Sequence, residues 1–323
     1  VGNALMIALW GEHTPSPMHS MHFGWRAGAF LAPMIAYPFL SGRLEVPILV
    51  NSTLNNTTEA TIVNGTRIIL TESKIIYPYM ITGGLGVLIS FVYLGFFLAP
   101  RPDGMRFTNT AKSRRLKQFL SPASCAGGNL RFGTLMMICL TLYYLFNDIV
   151  GNVFGNFQTA VATKSLNMTK QEAALLNSAS SGTALATQFL MIFLAKYVPM
   201  PVLVFSEVHG ILAVSIAAFF FVLNNILGFT ILSCAFRFFS AAFWAGGMAW
   251  AENYIDITGA AIMLWNIGSG VGGVFTYLSG YLFSNHGVSA ILWLDLSIAI
   301  LVCLLLYITQ CIMSRHGPKR RKD

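Results

Sequence analysis

Charge is what this sequence has least of. Only 10% of its 323 residues are Asp, Glu, Lys or Arg, against roughly 25% in globular proteins. A soluble fold of this length needs far more polar surface, so the scarcity excludes one. Cysteine is sparse as well: Cys125, Cys139, Cys234, Cys303 and Cys311. None lies in a stretch expected to face an oxidising compartment, so no structural disulfide is expected, and their spacings match no metal site. The chain offers no nucleophile–base set, no P-loop and no calcium loop, which leaves no reading as an enzyme and no catalytic residue to name.

What abounds is apolar: 55% of the residues are hydrophobic, and the mean hydropathy is +0.65. The expected class is a polytopic, all-α membrane protein whose solvent is the lipid bilayer. The net charge of +8 would point to nucleic acid in a soluble protein. Here most of the excess sits in two places. One is the stretch 101–131, which carries Arg101, Arg106, Lys112, Arg114, Arg115, Lys117 and Arg131 against the single acid Asp103. The other is the tail with Arg315, Lys319, Arg320, Arg321 and Lys322. Basic loops between membrane helices stay cytoplasmic, so both are expected in the cytosol and no nucleic-acid partner is expected.

Residues 1–10 make about half a span, where a full one takes roughly 20 residues. Eight segments follow, at about 22–40, 75–99, 132–156, 173–195, 201–223, 226–249, 260–283 and 290–313. Gly24 and Gly28 form a small-xxx-small pair expected to let helices approach closely, and Gly268 with Gly272 forms a second. The GSGVGG run at 268–273 matches a dinucleotide fingerprint only in letters, because no strand precedes it. A polar loop, 41–75, holds the glycosylation acceptors Asn51, Asn55, Asn56 and Asn64, and Asn167 with Thr169 makes a fifth. With the basic loop inside, all five fall outside. Thirteen Lys and Arg fall inside, five outside, and Arg26 and Arg237 within segments. Charge and sequons agree on one topology, for a multi-pass protein reached through the secretory route and expected in the plasma membrane.

Six segments after a basic central loop match one half of a carrier built from two six-helix halves. Local residues sharpen this. The stretch MHSMHFGWRAGAFLAPM at 18–34, preceded by Trp10–Gly11, resembles the fourth-to-fifth helix region of the sodium-dependent glucose transporter branch of the major facilitator superfamily, with its type 4 domain-containing relatives. WAENYIDITG at 250–259 is similar to that branch after helix ten, and TKQEAALLNSASSGTAL at 169–185 to its entry into helix eight. The resemblance implies a major facilitator fold running from the last part of helix 4 through helix 12, with helices 1–3 of a full-length protein lying outside the chain. It implies residues 1–100 as the remainder of an N-terminal half (helices 4–6), 101–131 as the central loop, 132–313 as the six-helix C-terminal half and 314–323 as a basic tail. Two places depart from the branch: Gly151–Asn152 stand where it tends to have an acid, and Ser181 and Gln188 where it has Trp and Arg.

Among candidate functional residues the fourth segment is the most informative. Thr141, Tyr144, Asp148, Asn152 and Asn156 share one helical face at 100° per residue. An ionisable group inside a membrane faces a cavity or a partner, so the stripe lines a translocation path or serves as interhelical glue. Tyr144, Asn152, Asn156, Gln188, Trp265 and Asn266 are the expected substrate contacts, and Asp148 the expected ion-coupling group, for Na⁺ or a proton. Arg26, Glu207 and Arg237 are expected as structural or gating charges. Arg26 lies where it can snorkel to the interface, Glu207 with His209 where a gate-side ion pair or a proton relay could form, and Arg237 deep enough to need a partner.

By resemblance the protein is expected to move a small-molecule solute, a hexose, coupled to Na⁺ and by alternating access. The rival is a transport-inactive accessory or signalling membrane protein of the same fold. A seven-helix receptor fits neither the six-helix block nor the cytoplasmic central loop.

Overall fold

The computed structural model describes residue 10 and residues 14–40, 43–47, 60–63, 66–70, 73–98, 121–221 and 225–318. The basic stretch 101–120, the tail 319–323 and Asn51, Asn55, Asn56 and Asn64 lie outside the described residues.

Helix α1 spans Pro15–Ala36, with Pro15 and Pro17 at its start, where a missing N–H costs no bond. It enters a short 3₁₀ turn at Tyr37–Phe39. The loop expected at 41–75 is not wholly irregular. It contains β1 (Arg43–Pro47), β2 (Ala60–Val63) and β3 (Thr66–Leu70), an antiparallel sheet with β3 in the middle. Val63 pairs with Thr66, and the two residues between them read Asn64–Gly65, a strong hairpin signal. Among the described residues, this small sheet is the departure from an otherwise all-α fold.

Helix α2, Ile76–Leu98, is apolar throughout, yet only 6% of its most apolar window is buried. Then come α3 (Leu130–Lys164), α4 (Lys170–Tyr197) and α5 (Met200–Phe221). Helix α3 runs two turns beyond the expected end at 156, because no Pro or Gly interrupts FQTAVATK. It stops at Ser165, and Asn167 then adopts a left-handed φ of 54°, which Asn tolerates better than most residues. Helix α4 opens with a capping box. The Thr169 hydroxyl accepts from Glu172 N at 3.2 Å, and Thr169 N donates back to Glu172 Oε2 at 2.6 Å. Each bond satisfies a donor the helix cannot satisfy itself.

The segment expected as one helix over 226–249 is two: α6 (Ile226–Ser240) and α7 (Phe243–Glu252), broken at Ala241–Ala242. The run Gly259–His316 is helical end to end except at Gly287, whose φ of 73° and ψ of −163° only glycine adopts readily. It is therefore two helices, α8 (259–286) and α9 (288–316).

Six described runs are long and apolar enough to cross a membrane, counting α6 with α7 and α8 with α9 as one run each. Helix α1 is not among them, although 22 residues span about 33 Å. His19, His22 and Arg26 lower its hydropathy. It tolerates them because it packs along α4, so it need not be apolar all round.

Helix α3 packs against the α8–α9 run, α4 and α5 against α6, α5 against the α8–α9 run, and α1 against α4 and α7. The α3–α8 seam is close because α8 offers glycine. A methyl group at Gly268 would meet Thr141 Cγ2 at 2.9 Å, and one at Gly272 would meet Asp148 Oδ2 at 3.3 Å. Gly24 and Gly28 do not act in this way: nothing described lies within 4 Å of a methyl group at either. Instead, α1 meets α4 through Phe30, whose ring lies over Gly182, and through Gln188 of α4.

Candidate functional site

A polar cavity of about 280 Å³ opens between four helices. Helix α1 contributes Trp25, Arg26 and Ala29, α3 contributes Gly151, Asn152, Gly155 and Asn156, α4 contributes Asn177, Ser181 and Ala184, and α6 contributes Arg237. The stripe on α3 reaches it only in part. Asn152 and Asn156 line it, and Asn156 Nδ2 also lies 3.5 Å from Thr276 Oγ1 of α8. Below them the stripe turns into the α3–α8 seam. Thr141 donates to its own helix at Met137 O, 2.6 Å. Tyr144 is fully buried, stacked on Trp244 at 4.4 Å and tilted against Trp265 at 5.1 Å.

Asp148 stands at the boundary between the two environments. It is half-buried, faces Gly272 of α8 and accepts from Asn152 Nδ2 at 2.7 Å. It does not line the cavity itself; Asn152 joins it to the wall.

Besides Tyr144, three more expected substrate contacts lie elsewhere. Gln188 is wholly buried, and its Nε2 donates to His19 Nδ1 at 2.8 Å and His19 O at 3.1 Å. It ties α4 to α1. Trp265 is wholly buried in the aromatic cluster with Tyr144. Asn266 turns back on its own helix and donates to Ile262 O at 2.7 Å. Tyr144, Gln188, Trp265 and Asn266 are all absent from the cavity wall. Helical phase put Tyr144 on a polar face, and side-chain chemistry suggested Trp265 and Asn266, but neighbouring helices decide which groups a solute can reach.

The charges also differ from expectation. Arg26 does not snorkel. Its Nη2 donates to Ser240 O at 3.1 Å and Ala241 O at 2.9 Å, the carbonyls freed where α6 breaks. A cation at the C-terminal end of a helix is favourable on both hydrogen-bond and dipole grounds. Glu207 forms no gate-side ion pair among the described residues. It is buried against Gly246 of α7, with Oε2 lacking a hydrogen-bond partner among the described residues. His209 points the other way, as two residues apart on a helix dictates. Its Nδ1 donates to Phe205 O at 2.7 Å, which leaves Nε2 to accept from Tyr307 O–H at 2.9 Å. The two therefore form no relay with each other. Arg237 borders the cavity with its guanidinium against α3, where a methyl group at Gly155 would come within 2.8 Å of Nη2. Asn167 is exposed at the turn into α4.

Sequence reasoning missed Asp295. It is buried in α9, its Oδ2 accepts from Ser215 of α5 at 2.7 Å, and its Oδ1 has no partner among the described residues. It lines a separate void of about 40 Å³ among apolar side chains, large enough for one water. The signal was present: Asp295 is the one acid in the apolar run 290–313.

Six described runs long and apolar enough to span a membrane, and a polar cavity between α1, α3, α4 and α6, define a helical membrane protein with an internal polar site. The sequence profile of the Major Facilitator Superfamily matches residues 136–323, which is α3 from its second turn through α9 and the tail. The chain belongs to the Major Facilitator Superfamily. Its similarity to the sodium-dependent glucose transporter branch is shown as well. Sodium-dependent glucose transporter 1A of Mus musculus is 24% identical over 283 residues, 84% of this chain and 61% of that protein. Sodium-dependent glucose transporter 1 of Homo sapiens is 25% identical over 276 residues, 84% of this chain and 50% of that protein. Its Rattus norvegicus counterpart is 28% identical over 314 residues, 94% of this chain and 61% of that protein. The chain thus spans between half and about three-fifths of the length of these relatives. The family makes it a multi-pass membrane protein of a transporter class rather than an enzyme class.

Proposed function

We propose that this chain is the greater part of an alternating-access carrier, and that its solute is a hexose moved together with Na⁺. The observation that carries the reading is the cavity between α1, α3, α4 and α6. Asn152, Asn156, Asn177 and Ser181 bring amides and a hydroxyl to its wall from two helices, and each such group can both donate to and accept from a sugar hydroxyl. The relatives named for sodium-dependent glucose transport support the finer statement. Asp148 is the candidate cation group, since it is the acid linked to the wall through Asn152.

In this reading residues 1–100 belong to one helical half and 132–313 to the other, with 101–131 as a cytoplasmic linker and 314–323 as a cytoplasmic tail. Helix α1 from the first half meets α4 and α7 of the second, so the cavity lies where the halves rock against each other. The membrane is the plasma membrane.

Uptake of labelled glucose by cells expressing the full-length protein, with Na⁺ present or replaced by choline, tests this. Saturable uptake that falls without Na⁺ is expected. Absence of uptake at normal surface level would instead favour the accessory, transport-inactive reading.

A further inference from the structure

The cavity holds two guanidiniums that are compensated very differently. Arg26 is committed: it donates to the Ser240 and Ala241 carbonyls. Asp148 is turned toward Gly272 of α8 and held by Asn152. Arg237 has no such arrangement. No carboxylate lines the cavity, and Arg237 Nε is buried without a hydrogen-bond partner among the described residues. Its guanidinium lies against Gly155 of α3, where a methyl group would come within 2.8 Å of Nη2, and beside it the wall at Gly151 is open, a methyl group there meeting nothing within 4 Å.

A charge in the membrane interior is costly unless it is paired, and a buried charge without a partner is strongly destabilising. Arg26 is held by the two carbonyls at the end of α6, and no carboxylate on the cavity wall faces Arg237, so its positive charge stands uncompensated beside the open wall at Gly151. A guanidinium offers two parallel N–H donors that match a carboxylate.

We propose that the cavity takes a hexose carrying a carboxylate, a hexuronate, with the carboxylate on Arg237 and the ring hydroxyls on the amides of Asn152 and Asn156. This rests on the carrier reading above and narrows its substrate class. A neutral hexose satisfies the amides and leaves Arg237 unpaired, whereas a hexuronate satisfies both.

The test is uptake of labelled D-glucuronate and D-glucose by the full-length protein in cells, for wild type, Arg237→Gln and Arg237→Lys at matched surface level. Wild type is expected to take up glucuronate, and glucuronate to inhibit glucose uptake more strongly than unlabelled glucose does. Loss of one charge-assisted contact should lower the glucuronate-to-glucose uptake ratio of Arg237→Gln by about tenfold or more, with Arg237→Lys falling between. Glucose uptake with no glucuronate uptake or inhibition overturns the proposal and leaves the carrier standing. Failure to take up either sugar overturns the carrier reading and the proposal with it. Equal losses of both sugars in Arg237→Gln overturn the role of Arg237. If neither variant reaches the surface, inhibition of wild-type glucose uptake by glucuronate decides.

Discussion

At the scale of single residues, direction matters more than identity. Asp148 and Asn152 are one turn apart and bonded to each other, yet only Asn152 reaches the cavity. Their substitutions should therefore separate. Asp148→Asn is expected to abolish the Na⁺ dependence of uptake, because it removes the charge while keeping size and hydrogen-bonding capacity. Unchanged dependence would remove Asp148 from coupling. Asn152→Ala is expected to raise the half-saturation concentration about fivefold or more, the loss of one or two polar contacts, and an unchanged value would take it out of the site. Periodicity was enough to find this stripe, since 100° per residue is a property of the helix alone. It could not say that Tyr144 and Thr141 on the same face are sealed by Trp244, Trp265 and Gly268, because those neighbours come from elements 100 or more residues away. Gln188 was misread for the same reason. Its partner His19 lies 169 positions earlier, and no local pattern announces that pairing.

At the scale of elements, spans read clearly and their interruptions did not. Long apolar runs bounded by Pro, Asn and charged residues located the spans to within a turn or two. The break at Ala241–Ala242 falls in AAFWAGG, which is apolar on both sides and carries no Pro, so hydropathy passes straight through it. The sheet at 43–70 was hidden by its polar setting, although Asn64–Gly65 between β-branched runs was a usable signal. Two substitutions test the junctions. Thr169→Ala removes the hydroxyl that accepts from Glu172 N, leaves the backbone bond from Thr169 N to Glu172 Oε2, and should cost about 1 kcal/mol, measured as a lower thermal midpoint of the detergent-solubilised protein. Gly287→Ala puts a side chain where φ is 73° and ψ is −163°, a region essentially confined to glycine, and should cost about 1–3 kcal/mol. No loss of thermal stability in Gly287→Ala would mean that the α8–α9 junction does not need that backbone geometry.

At the scale of the whole molecule, the topology is the exposed claim. Charge and sequons together put Asn51, Asn55, Asn56 and Asn64 on one side of the membrane and the basic run 101–131 on the other. Peptide N-glycosidase should therefore increase the mobility of the cell-expressed protein, while an epitope placed in 101–131 should be reached only after permeabilisation. Labelling of that epitope in intact cells would invert the arrangement. The contact of Arg26 with the broken end of α6 carries a consequence for motion. A side chain from α1 fills the place that water would take on the Ser240 and Ala241 carbonyls. Drawing α1 away strips both bonds together and leaves two carbonyls to be satisfied from the cavity beside them, so partial displacement gains nothing. The contact works as a detent: the molecule rests on one side of it or the other, and Arg26→Met should blur two discrete distance populations between α1 and α7 into one broad one.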